Sequence, residues 1–346
     1  MTIYQISLLV GDGIGPELSQ CVEDILHHIH DNSSALKFKI DKVEAGDEAK
    51  KRYGKALPED TFVKIKKSQA CLKSPVGESA ADVVLVLRRY FELYANVRPS
   101  KNYANIPAIS KGVDLVTVRE NTEDLYLGWE FFSDEDTVIS LRKISRFASR
   151  RIAEYAFKIA NARKGKKVTI VHKSNVLRQS DRLFIDTSKE VAKKYPEIEF
   201  EEMYVDACSM ELIRYPTRFD TILTTNLFGD IISDEAAQIT GSIGLAPAAN
   251  IGENFAMFEP VHGAAFDIAG KNIANPTSFI LALKMMFDWM GEKYSDINLL
   301  NESIKIDKAV DNLFTNNIKT KDIGGTLSTK EFNQKFLSIF STDTFQ

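Results

Sequence analysis

Short apolar runs in this chain end again and again in glycine-, asparagine- or acid-rich segments, with helical spacing in between. That alternation limits the fold more than any other feature. Ile6–Val10 runs into G-D-G-I-G-P-E (Gly11–Glu17), which reads as a buried strand, a glycine turn and a helix opening at Pro16. Val113–Val118 leads into R-E-N-T-E-D-L-Y, Lys167–Val171 into H-K-S-N-V, Phe200–Val205 into D-A-C-S-M, and Phe219–Thr224 into N-L-F-G-D. Ala81–Glu92 and Ser145–Ala162 have helical spacing, the second strongly amphipathic. The pattern predicts an α/β fold with a mostly parallel sheet, and ligands of such sheets bind beyond the C-terminal ends of the strands. Between Tyr126 and Leu141, G-W-E-F-F, S-D-E-D and T-V-I-S-L predict an antiparallel pair. No repeat or low-complexity linker marks a hinge, so domains have to be divided by topology.

A chain of 346 residues has room for two domains or one large α/β unit. Its net charge of −4 gives no electrostatic case for nucleic acid or an anionic membrane as a partner. No apolar run reaches membrane-spanning length, and the opening M-T-I-Y-Q-I-S-L-L-V lacks a basic leader segment. Cys21, Cys71 and Cys208 are scattered and form no CxxC pair, which suits three small buried hydrophobes in a reducing compartment. A cytoplasmic protein is expected.

Asp230 and Asp234 lie four residues apart at the start of a predicted helix, so both carboxylates fall on one face, one turn apart. Hard oxygen ligands at that spacing suit Mg²⁺ or Mn²⁺. The spacing alone leaves open an acidic first turn that complements the helix dipole. Arg88 lies on the Ala81–Glu92 helix, Arg98 follows it in Y-A-N-V-R-P and Arg119 follows the Val113–Val118 strand; three guanidinium forks can clamp a dicarboxylate. Taken singly, an arginine reads first as a solvated charge or an ion-pair partner. Lys173 and Tyr126, each at a strand end, are candidate proton carriers; the plainer alternatives are a surface lysine and a core tyrosine. His262 in V-H-G-A-A has two readings, stacking on a ring or satisfying a turn. The G-D-G-I-G-P-E loop is not the dinucleotide GxGxxG, because its third glycine comes one residue early. A phosphate cradle and a tight strand-to-helix turn both remain open for it.

Taken in order, these segments resemble the isopropylmalate/isocitrate dehydrogenase family of metal-dependent oxidative decarboxylases. The resemblance runs from G-D-G-I-G-P-E through Y-A-N-V-R-P, V-R-E-N-T-E-D-L-Y, H-K-S-N-V, N-L-F-G-D-I-I-S-D-E and E-P-V-H-G-A-A-F-D-I-A-G-K-N-I-A-N-P-T to D-I-G-G-T-L-S-T. It covers essentially the whole chain and is most similar to the archaeal-type isopropylmalate branch. It implies two α/β domains sharing a continuous mixed sheet, with a non-Rossmann cofactor site. Residues 1–93 and 241–346 would form the cofactor-binding domain. Residues 94–240 would form the substrate, metal and dimerisation domain. The resemblance implies that Asp206, Asp230 and Asp234 bind Mg²⁺ or Mn²⁺, with Asp206 also facing the substrate. Arg88, Arg98 and Arg119 would hold the malate carboxylates, and Tyr126 and Lys173 would be the catalytic proton-transfer pair. Lys173 and Asp206 would come from the partner subunit, so a homodimer is the minimal active unit, alone or within a tetramer.

Glu259–Pro276 matches the family's adenosine-binding stretch, which assigns His262, Gly263, Asp267, Ile268 and Asn275 to the cofactor. A carboxylate at Asp267 can accept from both ribose hydroxyls of NAD and repels the 2′-phosphate of NADP. NAD is therefore the expected cofactor. Phe266 departs from the proline of many relatives. On the Arg88 helix, Ala81, Val84 and Leu85 lie at i−7, i−4 and i−3, an apolar face that suits a branched alkyl group. A free carboxylate there would be desolvated without a partner. These features imply NAD-dependent oxidative decarboxylation of 3-isopropylmalate, with homoisocitrate or isocitrate, or two substrates, as the alternative. Asp82 and the neighbouring Arg89 are the departures that favour the alternative. A non-catalytic regulatory subunit is a more distant alternative, disfavoured because the three aspartates, three arginines, tyrosine and lysine are all present.

Overall fold

All the apolar runs named above are strands in the computed structural model, which describes residues 2–342. In chain order the strands are β1 (Thr2–Leu9), β2 (Leu36–Val43), β3 (Ala70–Lys73), β4 (Ala95–Lys101), β5 (Asp114–Glu120), β6 (Glu130–Asp134), β7 (Thr137–Ser140), β8 (Lys167–His172), β9 (Glu199–Tyr204), β10 (Thr221–Thr224), β11 (Pro247–Ile251) and β12 (Ala256–Pro260). Ten of them form one sheet in the order β2-β1-β3-β12-β11-β4-β5-β10-β8-β9. Strands β2, β1, β3 and β12 run parallel to one another, as do β5, β10, β8 and β9. At the centre, β11 and β4 are antiparallel to both of their neighbours and join the two parallel halves. One half draws its strands from residues 2–73 and 247–260, and the other from residues 95–224.

Several strands were not separately legible. β3, β11 and β12 are only four or five residues long and buried throughout, so they carry no alternation. β4 contains Pro99, which argues against a central strand. The structure accommodates it because β11 pairs with β4 only from Ala95 to Val97, so that edge has ended before Pro99. Helix boundaries moved little. The Ala81–Glu92 expectation is an Ala80–Tyr90 helix, and Ser145 caps an Arg146–Ala162 helix by accepting from the Ala148 N–H. Thr277–Tyr294 packs on β11 and β12 with Phe279, Ile280, Leu283 and Phe287 fully buried.

The tight-turn reading of G-D-G-I-G-P-E has its physical reason in close backbone approach. A Cβ at Gly11 would lie 2.0 Å from the Pro75 carbonyl oxygen, and one at Gly13 would lie 2.0 Å from that of Ala264. Both glycines have positive φ, at 66° and 58°. The loop is a tight turn that ties three segments together. Between those glycines, the buried Asp12 accepts from the backbone N–H groups of Asp47, Glu48 and Gly77. Asp47 in turn accepts from the N–H groups of Glu78 and Ser79, at the start of the helix that carries Arg88. Two aspartates thus fix where that helix begins.

The antiparallel pair is present as β6 and β7. It stands apart from the large sheet, and every residue in it is exposed. Phe131, Phe132, Val138 and Ile139 are among those exposed residues. An isolated apolar hairpin is marginal in water by itself. All three cysteines are buried and free. Among the described residues, no helix is long and apolar enough to cross a membrane.

Candidate active site

Arg88, Arg98, Arg119, Tyr126 and Asp230 line one cleft of about 300 Å³, with Ala81, Val84 and Leu85 on its apolar wall. Arg88 lies in the last turn of the Ala80–Tyr90 helix, Arg98 sits within β4, and Arg119 within β5. Arg119 therefore belongs to its strand rather than following it. Tyr126 is not at a strand end either. It lies on a 3₁₀ turn, Asp124–Leu127, after β5 has finished. Asp230 and Asp234 project from the Asn226–Thr240 helix, which starts directly after β10.

Asp230 is the meeting point. One of its oxygens accepts from Arg119 and, at 3.1 Å, from Arg98; the other accepts from the Tyr126 hydroxyl. Arg98 also donates to Asp234 at 2.9 Å, so one guanidinium bridges both carboxylates. Burial raises the affinity of the Asp230 carboxyl for its proton, but Arg119 and Arg98 outweigh it and hold the group below its ordinary range. Asp234 goes the other way: burial, reinforced by the nearby Asp230 charge, lifts it against the pull of Arg98. Burial pushes the Arg119 guanidinium down to about 10, and Arg98 and Arg88 push in the same direction. The two carboxylates are thus shifted in opposite directions among crowded positive charges. In the single chain Arg98 meets the repulsion between Asp230 and Asp234; the two carboxylates are hard oxygen donors of the kind a divalent cation takes. The Tyr126 hydroxyl is raised chiefly by burial, so it keeps its proton at neutral pH.

Lys173 and Asp206 do not join this cluster in the single chain. They pair with each other at 2.5 Å, with the Asp206 side chain 65% exposed. Lys173 follows β8, and Asp206 lies in the first turn of the Val205–Arg214 helix. The hydrogen bond from Lys173 is the main reason the Asp206 carboxyl lies below its ordinary range. Among the described residues, no group of three acidic, histidine or cysteine side chains is arranged to hold a metal.

Residues 261–276 form the loop between β12 and the Thr277–Tyr294 helix. His262 and Gly263 line the cleft at its mouth, and burial holds the His262 imidazole below its ordinary range. Asp267 is exposed, and Ile268 packs against the main core. Asn275 donates to Asp322 at 3.0 Å, which fastens the loop to the C-terminal D-I-G-G-T segment. The Phe266 ring is exposed on one side, and its tip lies where a Cβ on Gly77 would fall, at 2.8 Å.

The cleft contains groups that the sequence reading passed over. Lys73, at the end of β3, and Glu259, in β12, are both more than nine-tenths buried and pair at 2.8 Å. Glu259 also lies 3.5 Å from Arg88. Burial alone would raise its carboxyl, yet Lys73 and Arg88 pull it down to about 2. Glu259 opens the E-P-V-H-G segment, and Lys73 closes the short apolar run A-C-L-K. The two residues that favoured the alternative substrates point elsewhere. Asp82 is exposed and paired with Lys50. Arg89 donates to the carbonyls of Tyr126 and Leu127, holding the turn that presents the tyrosine.

The mixed sheet and this cleft define a class: an α/β protein that faces arginines, a tyrosine and paired aspartates into one site between two parallel half-sheets. The chain belongs to the isocitrate/isopropylmalate dehydrogenase family, which matches residues 5–336. It is 47% identical to a 3-isopropylmalate dehydrogenase of Archaeoglobus fulgidus, over 97% of this chain and 99% of that one. It is 42% identical to a homoisocitrate dehydrogenase of Methanocaldococcus jannaschii, over 97% of each chain. The solved structure of an isocitrate dehydrogenase from Methylococcus capsulatus superposes with a TM-score of 0.89 at 38% identity, covering 97% of this chain and 99% of the other.

Proposed function

We propose that the protein is an NAD-dependent 3-isopropylmalate dehydrogenase, which oxidises and decarboxylates 3-isopropylmalate to 2-oxoisocaproate, CO₂ and NADH in leucine biosynthesis. The observation that carries this reading is the convergence of Arg98, Arg119 and Tyr126 on Asp230, beside Arg88 and an alkyl-lined wall. Arg88, Arg98 and Arg119 hold the two malate carboxylates. Asp230, Asp234 and Asp206 would hold a divalent cation, which would supply Lewis-acid chemistry when bound, and NAD would supply the hydride acceptor. Lys173 takes the hydroxyl proton, and Tyr126, protonated at rest, gives a proton to the substrate carbon once CO₂ has left. In this reading Lys173 and Asp206 reach the cleft from a second copy of the chain. The exposed apolar hairpin, and the exposed Met210, Ile213 and Ile231 on the helices that carry Asp206 and Asp230, support a homodimer. The strand partition supports a cofactor unit of residues 1–93 with 241–346 and a substrate and dimer unit of 94–240.

The substrate reading rests on Ala81, Val84 and Leu85, and burying an alkyl group there stabilises by about 0.8 kcal/mol per CH₂. Lys73 lies in the same cleft but is already neutralised by Glu259. Steady-state assays with isopropylmalate, isocitrate and homoisocitrate should give isopropylmalate at least about a ten-fold advantage in kcat/KM. Leu85→Arg should move the preference toward homoisocitrate. Equal or better turnover of isocitrate by the unmodified protein refutes the substrate assignment. For the cofactor, exposed Asp267 favours NAD, and replacing Asp267 and Ile268 by Lys and Tyr should weaken NAD use by roughly ten- to a hundred-fold. A wild-type preference for NADP sinks that part.

A further inference from the structure

All three cleft arginines are held from behind in the same way. Arg88 Nε donates to the side-chain carbonyl of Asn250 at 3.0 Å, and Arg98 Nε to that of Asn96 at 2.7 Å. Arg119 donates to that of Asn226 twice, from Nε at 2.9 Å and Nη2 at 2.7 Å. Each asparagine is fully buried. Each also spends its amide N–H₂ on a fixed acceptor, which sets the direction of the carbonyl. Asn250 donates to Glu259 at 2.7 Å, Asn96 to Asn250 at 3.0 Å, and Asn226 to the Glu123 carbonyl at 3.0 Å. Asn250 and Asn96 are directly opposed partners on β11 and β4, where the two half-sheets meet. One hydrogen-bonded chain therefore sets the spacing between Arg88, from one half, and Arg98, from the other.

We infer that Asn96, Asn226 and Asn250 are positioning residues for the substrate, acting as neutral anchors that hold each guanidinium by its inner nitrogen. This inference rests on the dicarboxylate reading above. Asp230 beside Arg98 and Arg119, and Glu259 near Arg88, already supply counter-charge; an amide carbonyl orients each guanidinium without adding a further carboxylate, which would cancel the positive charge that is left for the substrate. Arg98 and Arg119 already spend outer N–H groups on Asp230, and Arg98 also on Asp234 and Ser233, so anchoring at Nε holds the remaining outer N–H groups for a substrate carboxylate in a geometry fixed before binding.

The test compares Asn250→Asp, Asn226→Asp and Asn250→Ala with wild type, measuring KM for isopropylmalate, KM for NAD, kcat and melting temperature on the intact protein. Asp has the shape of Asn and keeps the acceptor, but adds the charge. The inference expects both Asp variants to raise KM for isopropylmalate by at least about ten-fold, with KM for NAD held within about two-fold. Asn250→Ala should raise the same KM through lost orientation. A role confined to stability would lower the melting temperature and leave that KM where it was. Asn250→Asp places a second carboxylate beside Glu259. Should it not fold, Asn226→Asp, whose amide faces only a backbone carbonyl, decides. Unchanged KM for isopropylmalate in a folded Asn226→Asp protein overturns the anchors and leaves the functional reading standing. A wild-type protein that oxidises no 2-hydroxy dicarboxylate defeats that reading, and the anchors with it.

Discussion

The two groups of side chains assigned to one reaction sit in opposite physical settings. Around Asp230 the polar groups are buried, mutually bonded and backed by asparagines; around Lys173 there is one short ion pair, with an exposed Asp206, beside apolar helix faces open to water. The first arrangement is complete within the chain. The second has the composition of a surface waiting to be covered, since exposed Met210, Ile213 and Ile231 are the residue types that interface cores bury. A site can thus be half prebuilt and half left to assembly, and the halves should respond differently to the same perturbation.

The largest expected effect follows from that split. Lys173→Ala and Asp230→Ala should each lower kcat by about a thousand-fold or more, because each removes a proton carrier or a metal ligand. Mixing the two inactive proteins should restore activity, since a mixed dimer contains one intact site. If subunit exchange is demonstrated by mass or fluorescence and activity stays absent, the halves belong to one chain and the comparison fails.

The sequence alone named the residues that the fold gathers around Asp230; it expected Lys173 and Asp206 to come from a partner, and in the single chain those two stand apart as a pair. Strand-to-polar transitions such as Thr224–Asn226 placed the chemistry at sheet ends, because a fully buried strand reads as an uninterrupted apolar run. The i, i+4 spacing placed Asp230 beside Asp234 because helical geometry is local. Lys73 and Glu259 escaped because they are distant in sequence, and each looks like an isolated charge until the fold pairs β3 with β12. The asparagine anchors escaped for a similar reason. Asn250 sits in A-A-N-I, which carries no periodic signal, and its role exists only across the β4–β11 pairing. Asp82 looked like a specificity signal because sequence does not say which way one residue of a helix turns; its partner Lys50 shows it faces out.

A smaller effect separates the halves by stability rather than activity. Asp230→Ala leaves Arg98, Arg119 and the Tyr126 hydroxyl without their common acceptor in a largely buried cluster. Unfolding experiments without added metal should show a loss of about 1–3 kcal/mol, discounted from a fully buried pair because the Asp230 side chain keeps some exposure. Asp206→Ala removes only an exposed pairing and should leave the denaturation midpoint where it was. Equal losses from the two variants would show that the prebuilt cluster gains nothing from its burial.

The smallest expected effect is on acid sensitivity, and it belongs to the buried side alone. The Glu259 carboxyl is held at about 2, against 4.5 when unperturbed, by Lys73 and Arg88. A carboxyl depressed in the folded state binds its proton more weakly there than in the unfolded chain. Its contribution is therefore fully present above about pH 4.5 and is lost as the pH falls toward about 2. Between about pH 5 and pH 4 only the beginning of that loss is sampled, so the change is on the order of half a kcal/mol, or about a degree in Tm. Glu259→Gln has no carboxyl to titrate and should flatten that part of the pH–Tm curve. Asp206→Asn should not flatten it when the scan is run at high salt, where the exposed Lys173 charge is screened. A Glu259→Gln protein with the wild-type slope would mean that the buried pair is not what acid breaks first.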